Sequence, residues 1–170
     1  MALYRIYNGP MPTTASQVAV TTGTAIKTML QIKAGTTKPL KITAWGISFD
    51  GSAAATPILC ELLETGTVAA TVTASATADI MKLDGEAIAG GDPVTNLIPV
   101  GTTSTGYTSS AEGTITTIRQ FDVQLVAPTN QYVYQFPLGN EPVVQVSNFA
   151  RVRVKAGAAV NAICWVEVQV

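Results

Sequence analysis

From Ile26 onward, apolar and polar side chains trade places every second position, and that period of two limits the fold more than any other feature of the chain. Successive side chains of a strand point to opposite faces, so strict alternation marks a strand with one buried face. Ile26, Thr28, Leu30 and Ile32 alternate with Lys27, Met29, Gln31 and Lys33, and the pattern stops at Ala34-Gly35. A second strand starts with Leu40, Ile42 and Ala44. Its phase then slips to Trp45, Ile47 and Phe49 with Gly46 between, which predicts a β-bulge, and Asp50-Gly51 closes it with a turn. Ile58 to Leu63 and Val68 to Thr73 read as two more strands joined through Glu64-Thr65-Gly66.

The period returns in the C-terminal half. Phe121, Val123 and Leu125 alternate with Asp122, Gln124 and Val126, and Pro128-Thr129-Asn130 turns the chain into Tyr132, Tyr134 and Phe136, which share a face. Val143 to Val146 is a short edge-like strand. Ala150, Val152 and Val154 alternate with Arg151, Arg153 and Lys155, and Val160 to Val170 ends the chain with Ala162, Cys164, Val166, Val168 and Val170 on the core side. No strand is followed by a long amphipathic helix, which excludes parallel βαβ units. The expectation is one all-β domain over residues 1–170, a jelly-roll-like antiparallel sandwich of nine or ten strands, with an N-terminal arm at 1–14. Residues 74–113 lose the period: Ala78 to Leu83 could make one helical turn, and Gly101 to Gly106 is polar and flexible, so this stretch is expected to be a long irregular excursion and a contact arm.

Chemistry-bearing groups are sparse. The chain has no histidine, which removes Ser-His-Asp and Cys-His arrangements and the commonest metal ligand. Cys60 and Cys164 lie too far apart in sequence for paired zinc spacing and read as buried free thiols. The sequence shows no phosphate-binding loop, dinucleotide fingerprint or nucleophile elbow. Eleven carboxylates are scattered and read as solvated turn or outer-face groups, not as a facing catalytic pair. Asp79, Asp84, Glu86 and Asp92 cluster in the excursion, where oxygen ligands for calcium are conceivable, but the spacing fits no EF-hand loop. The expectation is therefore a non-enzyme with no cofactor and no metal.

Charge points the same way. Only 12% of residues are charged and the net charge is −1, with Arg151, Arg153 and Lys155 as the sole basic alternation. That is not a nucleic-acid footprint, and no run approaches the length of a membrane span. The first residues lack a secretory layout, so the chain is expected to be made in the cytosol. A Thr-, Ala- and Gly-rich surface of this kind is cheap to desolvate, as an assembly component requires. Trp45, near the expected bulge, and Trp165, on the more polar face of the last strand, are read as core or subunit contacts before sugar-stacking platforms, and the Tyr132, Tyr134 and Phe136 stripe as core packing or an oligomer interface.

Three segments carry a resemblance: Tyr4-Arg5-Ile6-Tyr7-Asn8-Gly9, Trp45-Gly46-Ile47-Ser48-Phe49-Asp50-Gly51, and Gln135-Phe136-Pro137-Leu138-Gly139 with Glu141-Pro142. Together they resemble small head-associated proteins of tailed bacteriophages, notably those infecting actinobacteria. The resemblance implies a capsid decoration, or cement, protein on the outer surface of the virion. Such a protein binds the major capsid protein, commonly as a homotrimer, and bridges capsomers against internal pressure. Tyr4, Arg5 and Tyr7 would then be capsid contacts, while Tyr132, Tyr134, Phe136 or Trp165 would line the oligomer seam. The strand reading of Leu3 to Tyr7 competes with the arm reading on equal terms. The alternative function is a carbohydrate- or receptor-binding module of a phage tail or spike, with Trp45 or Trp165 as its platform.

Overall fold

The computed structural model describes residues 2–52, 55–84 and 94–170. Its strands in chain order are β1 (Leu3–Tyr7), β2 (Val20–Thr21), β3 (Lys27–Lys33), β4 (Leu40–Phe49), β5 (Ile58–Glu64), β6 (Thr71–Ala74), β7 (Ile80–Lys82), β8 (Gly106–Ala111), β9 (Arg119–Val126), β10 (Gln131–Gln135), β11 (Val143–Val144), β12 (Phe149–Lys155) and β13 (Asn161–Gln169). They form two antiparallel sheets. The first runs β10-β4-β13-β1-β7, with β11 beside β4 and β2 beside β13; the second runs β6-β8-β3-β12-β5-β9. The sheets pack face to face as a sandwich. It is not a closed barrel, because β10 and β7 end the first sheet and β6 and β9 end the second.

The alternation read from the sequence is what fills the interior. Ala162, Cys164, Val166 and Val168 of β13 face Ala150, Val152 and Val154 of β12 and Ile58, Cys60 and Leu62 of β5, all nearly solvent-free. Apolar area leaving water at roughly 25 cal/mol per Å² drives this assembly. Cys60 and Cys164 are free and buried, and burial pushes the Cys60 thiol up to about 12 and the Cys164 thiol well above its ordinary value.

Several expectations need correction. For Leu3 to Tyr7 the strand reading replaces the arm reading that stood beside it: β1 is an interior strand, paired to β13 on one side and β7 on the other. Asn8 prolongs that pairing with its side chain, whose amide donates to the Ala162 carbonyl and whose oxygen accepts from the Cys164 N–H. The exposed stretch is 12–16, after the strand. The helical turn expected over Ala78 to Leu83 is a 3₁₀ turn at Thr77–Asp79 followed at once by β7. The excursion of 74–113 is thus interrupted twice, by β7 and by β8, each contributing to a different sheet; residues 85–93 lie outside the described residues. The bulge in β4 falls at Thr43, where Glu167 pairs with Ala44 and Val168 with Ile42, and not at Gly46. Val68 to Ala70 is not strand: it crosses the outer face of the second sheet and covers Gln31 and Arg151.

Candidate interaction surface

The outer face of the first sheet gathers residues that the sequence assigned to two separate sites. Tyr7 on β1 lies directly opposite Trp165 on β13, and Arg5 lies opposite Glu167. On the other side of β13, Trp165 lies opposite Gly46 of β4. A Cβ on Gly46 would stand only 2.8 Å from the indole Cε2 and Nε1, so the ring rests directly on glycine backbone. The Arg5 guanidinium sits 4.6 Å from the indole centroid, a cation–π contact. Arg5 Nη2 also donates to Glu167 Oε2 at 2.7 Å, while the Thr43 hydroxyl at the bulge donates to Glu167 Oε1 at 2.9 Å. The bond to Glu167 holds the Arg5 guanidinium above its ordinary pKa against partial burial. The bulge therefore has a use: the extra residue supplies the second hydrogen bond that fixes Glu167, and Glu167 fixes Arg5 over Trp165.

Tyr4 does not join this surface. It is 1% exposed on the inner face of β1, so its side chain belongs to the core and not to the outer surface. Tyr132, Tyr134 and Phe136 stay together along β10. Tyr132 packs 5.4 Å from Trp45 between ring centroids, stacks on Tyr134 at 6.5 Å, and Tyr134 meets Phe136 edge-on at 5.0 Å. Tyr132 and Phe136, the two ends of the stripe, are half-buried against the core, and Tyr134 between them is exposed. Trp45 is wholly buried, so it offers no platform for a sugar ring. Its indole N–H donates to Asp122 Oδ2 at 3.0 Å, and the Tyr132 hydroxyl donates to the same oxygen at 2.9 Å. Burial first, and the Asp122 carboxylate second, push the Tyr132 hydroxyl up to about 12. One carboxylate on β9 thus ties the open side of the sandwich across both sheets.

The other described carboxylates make structural contacts, and two of them, Glu64 and Asp79, are buried where solvated groups were expected. Glu64 is 2% exposed and accepts from Asn148 Nδ2 at 2.6 Å, from the Gln145 N–H at 3.2 Å and from Arg119. Asp79 accepts from the Met11 N–H at 2.9 Å and the Ala76 N–H at 2.8 Å, which pins the chain after β1. Asp84 lies 3.6 Å from Lys82; Glu86 and Asp92 lie outside the described residues. Among the described residues no cluster of three or more His, Cys, Asp or Glu side chains forms. Hollows of about 370 Å³ beside Glu112 and about 340 Å³ beside Asp50 each hold one carboxylate, so neither presents a facing pair. Arg151 is also buried, donating to the Glu112 carbonyl at 3.0 Å and to the Val68 carbonyl, under the loops that cover the second sheet.

No protein-family model matches this chain, and neither does any curated protein or solved structure.

Proposed function

We propose that the chain is a non-enzymatic structural protein that decorates the outer surface of a tailed-phage capsid and stabilises it by bridging capsomers. The observation that carries this reading is the outer face of the first sheet. The three segments that bear the resemblance belong to β1, β4 and β10 with the turns that follow them, and all three strands lie in that sheet. Arg5, Tyr7 and Trp165 are brought together there. Arg, Tyr and Trp are the residue types that dominate binding energy at protein interfaces. Glu167 and Gly46 hold two of them in place before any partner arrives, which lowers the ordering cost of binding. The partner is the major capsid protein, and the protein binds as a trimer, so that several modest contacts act together through effective concentration.

The receptor-binding alternative needs an open tryptophan face. Trp45 is in the core, and Arg5 already occupies the indole of Trp165, so head binding is the reading kept. Co-sedimentation of the purified protein with undecorated phage heads tests it. Saturable binding with a raised melting temperature of the heads is the expected result. Binding to host-wall glycan without binding to heads would replace it with the receptor-binding reading.

A further inference from the structure

We propose that the free edge of β9 pairs with the same edge of a second copy of this chain, antiparallel, about a two-fold axis at Gln124. Among the described residues four strands end the two sheet paths, with β2 and β11 beside them at only two residues each, and three of the four are poor templates for another strand. β6 has four residues and two register irregularities against β8. β7 has three residues and ends in Lys82. β10 has five and runs into Pro137. β9 has eight residues and holds neither proline nor lysine, the usual guards of an edge. None of the backbone hydrogen bonds outside the sheets involves Arg119–Val126, so among the described residues the outer edge of β9 is unoccupied.

The sequence of β9 fits a copy of itself. Its one irregularity against β5 falls at Phe121, which leaves Asp122–Val126 regular, and Pro128 follows shortly after. That regular stretch is centred on Gln124. A two-fold axis there sets Val123 opposite the partner's Leu125, and Leu125 opposite the partner's Val123. These are two of the chain's exposed large apolar residues, at 44% and 71% exposure, and both project from the outer face. The same register sets Gln124 against Gln124 and Asp122 against Val126, so no like charges meet. Asp122, the only charge in the stretch, points inward and is spent on Trp45 and Tyr132. A charged foreign strand would press unpaired groups against Val123 and Leu125, whereas a second copy supplies their apolar complement. Paired strands would then run continuously from β5 through β9 and the partner's copy of β9. The contact is two-fold, so it is separate from a three-fold grouping, and it stands whether or not the protein binds a shell.

The test uses Val123→Cys and Leu125→Cys as separate full-length variants, mixed under copper–phenanthroline oxidation. Directly opposed strand residues come within disulfide reach, while residues two positions off do not. Disulfide-linked dimer is expected in the mixture and only at background in either variant alone. The native thiols are buried and do not compete. Val123→Lys is expected to lower the mean mass in sedimentation equilibrium at matched concentration, and adding Leu125→Glu to the same chain is expected to restore it by setting opposite charges face to face. Cross-linking of either variant with itself as efficient as in the mixture, or a mass unchanged by Val123→Lys, would overturn the proposal.

Discussion

Gly46→Ala is the sharpest probe of the outer face, because its effect should change sign with the residue opposite. In the native chain the new methyl would stand 2.8 Å from two atoms of the Trp165 indole, well inside contact distance. The ring cannot settle elsewhere without leaving Arg5. Overpacking of this kind costs about 1–3 kcal/mol. Replacing a mid-strand glycine by alanine recovers about 0.5–1 kcal/mol of backbone entropy. The net expectation is a loss of about 1–2 kcal/mol, a fall in the urea midpoint of roughly half to one molar at ordinary slopes. In a Trp165→Ala background the clash is gone and only the entropy term remains, so Gly46→Ala should stabilise by about 0.5–1 kcal/mol. The four proteins form a double-mutant cycle with a coupling near 2 kcal/mol or more, readable by urea denaturation. A Gly46→Ala effect of the same sign and size in both backgrounds would refute the packing of Trp165 on Gly46.

Asp122→Ala should cost about 1–3 kcal/mol, because it strands the buried Trp45 N–H. Tyr132 gives a second readout of the same carboxylate. Its folded pKa lies above the unfolded value, so its contribution is complete below about pH 10 and is lost as the pH rises toward 12; phenolate absorbance should show Tyr132 titrating earlier in Asp122→Ala. Arg151→Lys should destabilise by about 3 kcal/mol in thermal or urea melts, since an ammonium cannot reproduce the fork that serves both the Glu112 and Val68 carbonyls. Cys60 and Cys164 should resist a thiol reagent in the folded protein and react only at the rate of opening, because burial holds both thiols protonated.

Much of this architecture is legible in the sequence, for a simple reason. Long strands with one face in the core must alternate, so β3, β4, β5, β9, β10, β12 and β13 announce themselves within a residue or two. Short strands cannot: β7 has three residues, too few to show a period, and its neighbourhood reads as a helical turn. β8 is hidden for another reason. Part of its bonding to β3 is made by hydroxyls, as where Ser109 accepts from the Thr28 N–H, so no apolar alternation marks it. The loops over the second sheet also invert an expectation, burying Gln31 and Arg151 on a face that the pattern reads as solvated. At the surface, the sequence supplies Arg5, Tyr7 and Trp165 but not their meeting, which depends on the register of β1 and β4 against β13. Gly46 opposite a polar-face tryptophan was the available signal. It reads as a bulge marker until the register shows the indole lying on it.

The position of Asp122 links this core to the proposed self-association. By holding its charge inward on Trp45 and Tyr132, it leaves the outer edge of β9 neutral, so one residue both closes the sandwich and clears the strand for a second copy.

Equilibrium binding to undecorated phage heads, comparing the native protein with Tyr7→Ala and with Tyr134→Ala, decides whether the outer face of the first sheet meets the shell. Tyr7 lies on the outer face of the first sheet and Tyr134 on the opposite face of its edge strand. Saturable binding of the native protein, weakened by Tyr7→Ala at least about tenfold, as loss of a hot-spot aromatic implies, and little changed by Tyr134→Ala, is the predicted result. No binding by the native protein, or equal binding by Tyr7→Ala, would contradict the account of this face as the shell-binding surface.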